Sequence, residues 1–403
     1  MNVKANVKPS TAPKQDKIWT RDFILICLAN FFIFLGFQMT LPTIPLFVEH
    51  LGGSNQFIGI ITGIFTFSAL LFRPYAGHAL ESKGRRFVYM IGLAIFVVSV
   101  GSFAFIYSLA FLVIMRIIQG IGWGFSTTAT GTIATDLIPQ SRRGEGMGYF
   151  GLSGNLALAL GPSLGLTLTK HLTFTQLFLI CGALGIIALA LSTTVKYKKV
   201  EQPQQQRMHI KHDIYEKSAL QPSFLLFFIT ITFGGIASFL PLYTTEKGIS
   251  GIEWYFMIYA LFLLISRTFS GRLYDRKGHI VVFLPGTSFI FTAMLLLSWL
   301  PNTSTLFTAA ALYGMGFGMI QPALQAWAVE KAPANRKGMA TATFFSFFDL
   351  GVGVGAMAFG QIAHLFSYGS IYITSAGSII LSMMLYIFFL LKDRKNVKQM
   401  RSV

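Results

Sequence analysis

Long apolar segments separated by short polar ones dominate the chain. Twelve of them are long enough to cross about 30 Å of hydrocarbon as an α-helix. The longest polar interruption runs from Lys196 to Gln221 and leaves six segments on each side. The pattern predicts an all-α membrane protein with 12 transmembrane helices in two six-helix bundles, with spans near residues 23–48, 57–80, 87–107, 109–134, 147–169, 173–195, 222–243, 254–274, 281–299, 304–329, 339–364 and 368–391.

The second half of the chain repeats the first at an offset of 194 residues. Arg73 aligns with Arg267, and three alternating glycines that begin at Gly120 align with three that begin at Gly314. A single register that is kept at glycines, prolines and charges indicates an internal duplication. Two similar membrane halves around a central site are a common carrier architecture, so we expect a transporter.

The distribution of positive charge predicts the orientation. Loops on the side of the termini carry 27 of the 32 lysines and arginines, whereas the opposite loops carry only Lys170 and Lys247. The positive-inside rule then places both termini in the cytoplasm. The net charge of +17 would face anionic lipid headgroups and not nucleic acid. The predicted organisation is a cytoplasmic tail (1–21), an N-terminal bundle (22–195), a cytoplasmic linker (196–221), a C-terminal bundle (222–391) and a second cytoplasmic tail (392–403).

Composition excludes several classes of protein. The 403 residues are 53% hydrophobic and 12% charged, which exceeds what a soluble core needs. Cys27 and Cys181 lie far apart in apolar runs, so a disulfide or metal pair is not expected. The chain has no Gly-Lys dipeptide and hence no phosphate-binding loop that would indicate ATP drive. No metal, cofactor or enzyme active site is predicted, and the sequence lacks the constellations of a membrane enzyme.

Two polar loops carry the most specific motif. Between spans 2 and 3 the chain contains Gly77, Glu81, Gly84, Arg85 and Arg86, and the repeated loop contains Gly271, Asp275 and Gly278. We expect the first glycine of each copy to permit close helix contact and the last to permit a tight turn. This spacing resembles the signature loop of the major facilitator superfamily. The resemblance implies that superfamily's fold over residues 20–392, working through alternating access and without a cofactor.

Spans 4 and 5 add a second resemblance. Span 4 contains Arg116 and ends in a motif formed by Asp136, Arg142 and Arg143. Span 5 contains Gly148, Gly161, Pro162 and Gly165. Both motifs resemble the drug:proton antiporter branch, in which the span-4 arginine is linked to proton transfer and the span-5 pattern to export. The alternative for Arg116 is a structural hydrogen-bond hub, because an arginine inside a span needs a partner or a wet cavity.

Three further ionisable residues lie within spans. Asp349 is the one acid that we place deep in a span, on a face of small residues, which makes it a candidate for proton coupling beside Arg116. A structural hydrogen bond to a neighbouring helix is the alternative. Its mate in the repeat is Asn155. Arg73 and Arg267 lie late in their spans, and we expect them either to extend to the interface or to act in a gate.

The resemblance also implies which spans line the central path, namely 1, 4, 7 and 10. We expect an apolar, aromatic pocket with neutral hydrogen-bonding groups, which suits lipophilic or amphipathic guests. The candidate cavity residues, with Asn155 added from span 5, are Asn30, Phe34, Gln38, Gln119, Trp123, Thr127, Asn155, Thr230, Tyr313, Phe317 and Gln321.

The resulting hypothesis is a proton-coupled exporter in the plasma membrane, powered by the proton gradient and acting as a monomer. The alternative within transporters is export of one dedicated metabolite, because the run from Phe72 to Gly77 is similar to that of exporters of opine-type metallophores. A passive channel is disfavoured, since two repeated halves and an antiporter helix have no use in a pore.

Overall fold

The computed structural model describes residues 17–139, 142–197, 215–330, 332–333 and 337–401. Most of the N-terminal tail and of the linker therefore lie outside the described residues, so the predicted domain boundaries stay predictions. Within this part of the chain lie twelve long helices: α1 (Arg21–His50), α2 (Asn55–Ser82), α3 (Arg85–Ser102), α4 (Leu109–Leu137), α5 (Arg143–Thr169), α6 (Phe174–Thr193), α7 (Leu220–Glu246), α8 (Ile252–Lys277), α9 (Ile280–Trp299), α10 (Thr303–Glu330), α11 (Lys337–Leu365) and α12 (Tyr368–Arg401).

The helices confirm the predicted all-α membrane fold. Ten of them contain a stretch of described residues long and apolar enough to cross a membrane. The two others are α5 and α10.

The two halves repeat the same helix packing. In the first half α1 packs on α5 and α6, α4 packs on α2 and α3, and α3 packs on α6. In the second half α7 packs on α11 and α12, α10 packs on α8 and α9, and α9 packs on α12. Each contact has its counterpart six helices later. The sequence duplication is thus a duplication of a six-helix bundle.

The repeated glycine triplets explain the close packing of α4 and α10. A Cβ at Gly120 would lie 2.4 Å from the carbonyl oxygen of Phe65 on α2, and one at Gly122 would lie 2.6 Å from the amide of Phe96 on α3. In the second half a Cβ at Gly314 would lie 2.3 Å from a backbone oxygen of α8. Alternate glycines point to opposite sides of a helix. Each triplet therefore lets one helix fit between two neighbours.

The bundles meet along α2 with α11 and along α5 with α8. Contacts are tight at the end of the molecule that is opposite the termini, which we call the distal end (loops 51–54, 170–173, 247–251 and 366–367). There a Cβ at Gly59 would lie 2.6 Å from the carbonyl oxygen of Ala356. Lys170 forms an ion pair with Glu253 at 2.8 Å, and the Tyr368 hydroxyl donates to the side chain of Asn55 at 2.8 Å.

The end that carries the termini is more open. A Cβ at Gly77 on α2 or at Gly271 on α8 would meet no atom within 4 Å. The expectation that these two glycines permit close helix contact is wrong for this conformation. The physical reason is the direction of the opening: α2 contacts α11 from the distal end as far as Arg73, and Gly77 lies beyond these contacts.

Candidate transport site

The signature loops form the expected tight turns. Gly84 has a φ of 91° and Gly278 a φ of 76°, values in the region that side chains other than glycine rarely adopt. In the first loop Arg85 pairs with Asp136 at the end of α4, with Nε 3.1 Å from Oδ2. It also donates to the carbonyl oxygen of Leu80 at 2.9 Å. The basic part of the loop thus ties α3 to α2 and α4.

The remaining loop residues have different surroundings. The Tyr274 hydroxyl donates to Glu330 at 2.9 Å, which replaces the arginine–aspartate pair in the second half. Arg86 is exposed and Arg142 precedes α5. The predictions that concern the side chains of Glu81, Arg143 and Asp275, and the setting of Gly148, lie outside the described residues.

Small residues of α5 pack against α1. A Cβ at Gly161 would lie 2.4 Å from the Cβ of Gln38, and one at Gly165 would lie 2.5 Å from the carbonyl oxygen of Met39. Helix α5 continues through Pro162 to Thr169. The span-5 motif therefore serves close packing inside the N-terminal bundle.

Arg116 is buried and forms contacts inside its own bundle. Its guanidinium donates to Gln119 at 2.6 Å and to the carbonyl oxygen of Ile61 at 3.3 Å. It also lies over the ring of Phe65, 4.4 Å from the centroid. These contacts agree with the structural alternative from the sequence. Only 4% of Arg116 is exposed, so in this conformation it does not face an open cavity.

The predicted aromatic stripe of α4 forms the centre of the N-terminal bundle. Trp123 stacks on Phe37, with centroids 4.1 Å apart, and contacts Phe34 at 4.7 Å. Trp123 and Gln119 are buried, whereas Phe34 and Thr127 are partly exposed. Two of these four predicted cavity residues are therefore part of the packed interior in this conformation.

The two predicted cavity residues with neutral polar side chains on α1, Asn30 and Gln38, differ in their hydrogen bonding. Asn30 donates to Ser153 of α5 at 2.8 Å. Gln38 is buried, and its Oε1 has no hydrogen-bond partner among the described residues. Asn155 is partly exposed on α5, the helix that faces α8 across the interface.

The C-terminal bundle buries three of its four predicted cavity residues. Phe317 stacks on Phe233 at 6.0 Å, and the Tyr313 and Thr232 hydroxyls lie 2.9 Å apart. Thr230 bonds to the backbone of its own helix. The fourth, Gln321, is partly exposed and accepts a hydrogen bond from Arg267.

An ion pair joins the two bundles. Arg73 of α2 and Asp349 of α11 lie 2.6 Å apart, and 23% and 22% of their side chains are exposed. The pair lies between the tight distal contacts and Gly77, where α2 has separated from α11. We expected Arg73 either to extend to the membrane–water interface or to act in a gate. In the structure its side chain pairs with an acid of the other half.

The sequence indicated Asp349 but not its partner. The duplication holds the missing signal, because it makes α2 with α11 equivalent to α8 with α5. Arg73 and Asp349 then correspond to Arg267 and Asn155. An arginine occurs on both sides but an acid on only one. The ionic contact is thus found at one of the two equivalent interfaces.

Known proteins share this sequence pattern. The model of the Major Facilitator Superfamily matches residues 26–356 and 302–402. An uncharacterized MFS-type transporter of Methanocaldococcus jannaschii is 27% identical over 371 residues, which are 88% of this chain and 95% of that protein. A multi-drug resistance efflux pump PmrA homolog of Lactococcus lactis is 26% identical and covers 87% of this chain and 90% of its own length. The quinolone resistance protein NorA of Staphylococcus aureus is 26% identical over 227 residues, 54% of this chain and 57% of that protein.

Solved structures share the fold. The nucleoside transporter NupG superimposes with a TM-score of 0.73 at 15% identity, over 91% of this chain and all of that chain (100%). The human organic anion transporter TETRAN gives a TM-score of 0.68 at 19% identity, over 91% and 98% of the two chains. At such identities the likeness concerns architecture alone.

Proposed function

The chain belongs to the major facilitator superfamily, a family of membrane transporters and not of enzymes, and on that premise we propose that it exports lipophilic or amphipathic small molecules in exchange for protons. The observation that carries this proposal is the Arg73–Asp349 ion pair. It combines a titratable acid with a cation at the interface where the two halves must separate. The multi-drug resistance efflux pump among the relatives supports the direction of transport, and the quinolone resistance protein supports drug-like substrates.

The proposed orientation follows from the loop charges. With both termini in the cytoplasm, the distal end faces outward, and the described conformation is closed to the outside. The Lys170–Glu253 pair and the Asn55–Tyr368 hydrogen bond then belong to the outer closure. The protein would act as a monomer in the plasma membrane of a bacterium, with the lipid bilayer as its surroundings.

The position of the ion pair suggests how proton binding is coupled to the relative movement of the two bundles. In the proposed mechanism, the movement of α2 relative to α11 that opens the distal end also separates Arg73 from Asp349. A carboxylate that has lost its cation in a poorly hydrated setting binds a proton more readily. Asp349 would thus take up a proton from outside. On return, the approach of Arg73 would favour release of that proton to the cytoplasm.

Substrate binding would drive the opposite step. The partly exposed residues Phe34 and Thr127 on α1 and α4 and Gln321 on α10 offer an apolar surface with neutral hydrogen-bonding groups. Such a surface suits guests that are mostly apolar. Binding energy from the guest would offset the cost of breaking the ion pair. Arg116, with its buried contacts, would support this wall and not carry the proton itself.

The test is proton-driven uptake into inverted membrane vesicles across a panel of lipophilic compounds. We expect uptake that collapses with the proton gradient and that Asp349→Asn abolishes or uncouples. The matched control is Glu246→Gln, which neutralises an exposed acid at the distal end of α7. Uptake of a single compound class would instead indicate a dedicated exporter. Wild-type, gradient-dependent uptake by Asp349→Asn would remove that residue from the proton pathway.

A further inference from the structure

Helix α8 carries a positive charge inside the membrane that no described acid neutralises. Arg267 precedes Lys277, the last residue of α8, by ten positions, which is about 15 Å along the helix axis. Its guanidinium donates to the amide oxygen of Gln321 on α10, and its Nε has no acceptor among the described residues. None of the ion pairs between described residues includes it. A charge at such a depth is costly unless it faces a partner or a wet cavity.

The equivalent arginine of the first half is neutralised. Arg73 on α2 pairs with Asp349 on α11 at 2.6 Å. At the offset of 194 residues Arg267 takes the place of Arg73, and Asn155 takes that of the acid. Asn155 lies on α5, which packs against α8. An asparagine forms hydrogen bonds but supplies no negative charge, so the interface between α5 and α8 keeps a positive charge that the other interface has lost.

Arg267 lacks the contacts of a structural hub. Arg116 binds an amide, a backbone carbonyl and a ring face within its own bundle. Arg267 has one hydrogen-bond partner among the described residues, the amide of Gln321. Helices α8 and α10 pack closely without this bond, since a Cβ at Gly318 of α10 would lie 2.5 Å from the carbonyl oxygen of Leu263 on α8. A guest can therefore replace the amide without loosening the bundle.

The face of α8 that carries Arg267 is open toward the end of the molecule that carries the termini. Gly271 lies one turn nearer to that end on the same face, and a Cβ there would meet no atom within 4 Å. On α5, Gly151 lies one turn from Asn155 in the same direction, and a Cβ there would also meet no atom within 4 Å. These two open positions border the space through which a guest would approach Arg267.

The chemistry of the guanidinium indicates what that guest carries. Its N–H donors form a planar fork that binds a carboxylate through two parallel hydrogen bonds. We propose that Arg267 binds the carboxylate of an anionic amphipathic substrate, which takes the place of the Gln321 amide. The substrate then supplies to Arg267 the negative charge that Asp349 supplies to Arg73.

Apolar surface for the rest of such a molecule lies on the opposite bundle. Phe34 of α1 is partly exposed. It lies beside α5, since a Cβ at Gly154 would lie 3.8 Å from its ring, and α5 faces α8. The site thus offers a cation on one bundle and an aromatic ring on the other. This inference rests on the proposed function and narrows its substrate class to amphipathic carboxylates.

Binding of matched probes tests the proposal. The probes are naphthalene, biphenyl and decane, each carrying a carboxylate, a hydroxymethyl or an aminomethyl group. Calorimetry at neutral pH measures their affinities for the full-length protein in lipid nanodiscs. We expect the carboxylates to bind at least about tenfold more tightly than the alcohols, as for a hydrogen bond to a charged group, and the amines to bind most weakly. Equal affinity within each set, or no binding of any carboxylate, would overturn the proposal.

Variants test the assignment to Arg267. Arg267→Gln should bind carboxylates and alcohols equally, with the affinity for alcohols unchanged, whereas a purely structural role would change all three probe classes alike. Arg267→Lys keeps the charge but not the planar fork and should show an intermediate preference. The matched control is Arg276→Gln, which removes an exposed charge near the end of the same helix and should keep the full preference. An unchanged preference in Arg267→Gln would contradict the assignment.

The binding measurement needs neither a proton gradient nor vesicles. If proton-driven uptake fails while the carboxylate preference holds, the proposed function is wrong and the anion site stands. If gradient-dependent uptake is found for neutral or cationic compounds only, the proposed function stands and the carboxylate site is wrong. The two failures are therefore distinguishable.

Discussion

Replacing Asp349 with asparagine removes one charge of the ion pair between the bundles. At 2.6 Å and an effective dielectric constant of about 20, the Coulomb attraction is about 6 kcal/mol. Desolvation of both groups offsets much of it. Removing one partner of such a pair costs about 3–5 kcal/mol, because the other charge stays uncompensated. The asparagine amide can still accept a hydrogen bond from Arg73, so we expect a loss below that range and near-normal expression.

A double-mutant cycle isolates the contact. It compares the wild type with Asp349→Asn, with Arg73→Gln and with the double variant, by thermal unfolding in one detergent. The double variant leaves no charge unpaired. We therefore expect its loss of unfolding free energy to be smaller than the sum of the losses in the two single variants. Coupling energies between contacting residues run up to about 3 kcal/mol. Coupling below about 0.5 kcal/mol, the usual error of additivity, would refute a direct interaction.

Transport measurements on the same four proteins test whether the Arg73–Asp349 pair couples substrate transport to proton movement. Proton-driven uptake into inverted vesicles should be lost in both single variants. Exchange of labelled for unlabelled substrate without a gradient should persist, because it needs no net proton movement. Accumulation by Asp349→Asn equal to that of the wild type would show that the pair is structural only.

Three further predictions concern packing and closure. Lys170→Cys with Glu253→Cys, joined by a short bifunctional methanethiosulfonate, should lose uptake and regain it when reductant cleaves the linker, since the outer closure must open. Gel mobility and uptake measure this, and full uptake by the cross-linked protein would contradict it. Gly120→Leu should abolish folded protein in detergent chromatography, because its side chain would enter the backbone of α2, whereas Gly77→Ala, in open space, should elute as the wild type does. Arg116→Ala should lower the melting temperature by several degrees, as expected for about 2–3 kcal/mol from lost hydrogen bonds of a charged donor; an unchanged melting curve would argue against the structural hub.

Local patterns were enough to predict the architecture. The length of each apolar segment determines that it spans as a helix, since only internally bonded backbone is stable in lipid. The positive φ of Gly84 and Gly278 also agrees with the predicted turns, because only glycine adopts such values freely. The register between Gly120 and Gly314 predicted equivalent helices, and the packing of α4 and α10 follows it. These properties depend on residues close together in the chain.

Exposure of the candidate site could not be derived in this way. Helical spacing placed Arg116, Gln119 and Trp123 on one face of α4, and they do share contacts. That face is buried against α1 and α2 and does not line an open path. The result depends on which end of the molecule is closed. Which end is closed depends on how the two bundles are placed relative to each other, and the spacing of residues along one helix does not encode that placement.

The sequence by itself determined the twelve spans, the doubled bundle and the presence of one deep acid, because hydropathy, charge asymmetry and repetition are written along the chain. Only the tertiary structure decided that Asp349 pairs with Arg73, residues that lie in different halves. It also decided that the guanidinium of Arg116 on α4 donates to the carbonyl oxygen of Ile61 on α2. Both contacts join helices that are distant in the sequence. The geometry of such contacts is set by the packing of whole helices and bundles, and no local sequence pattern specifies it.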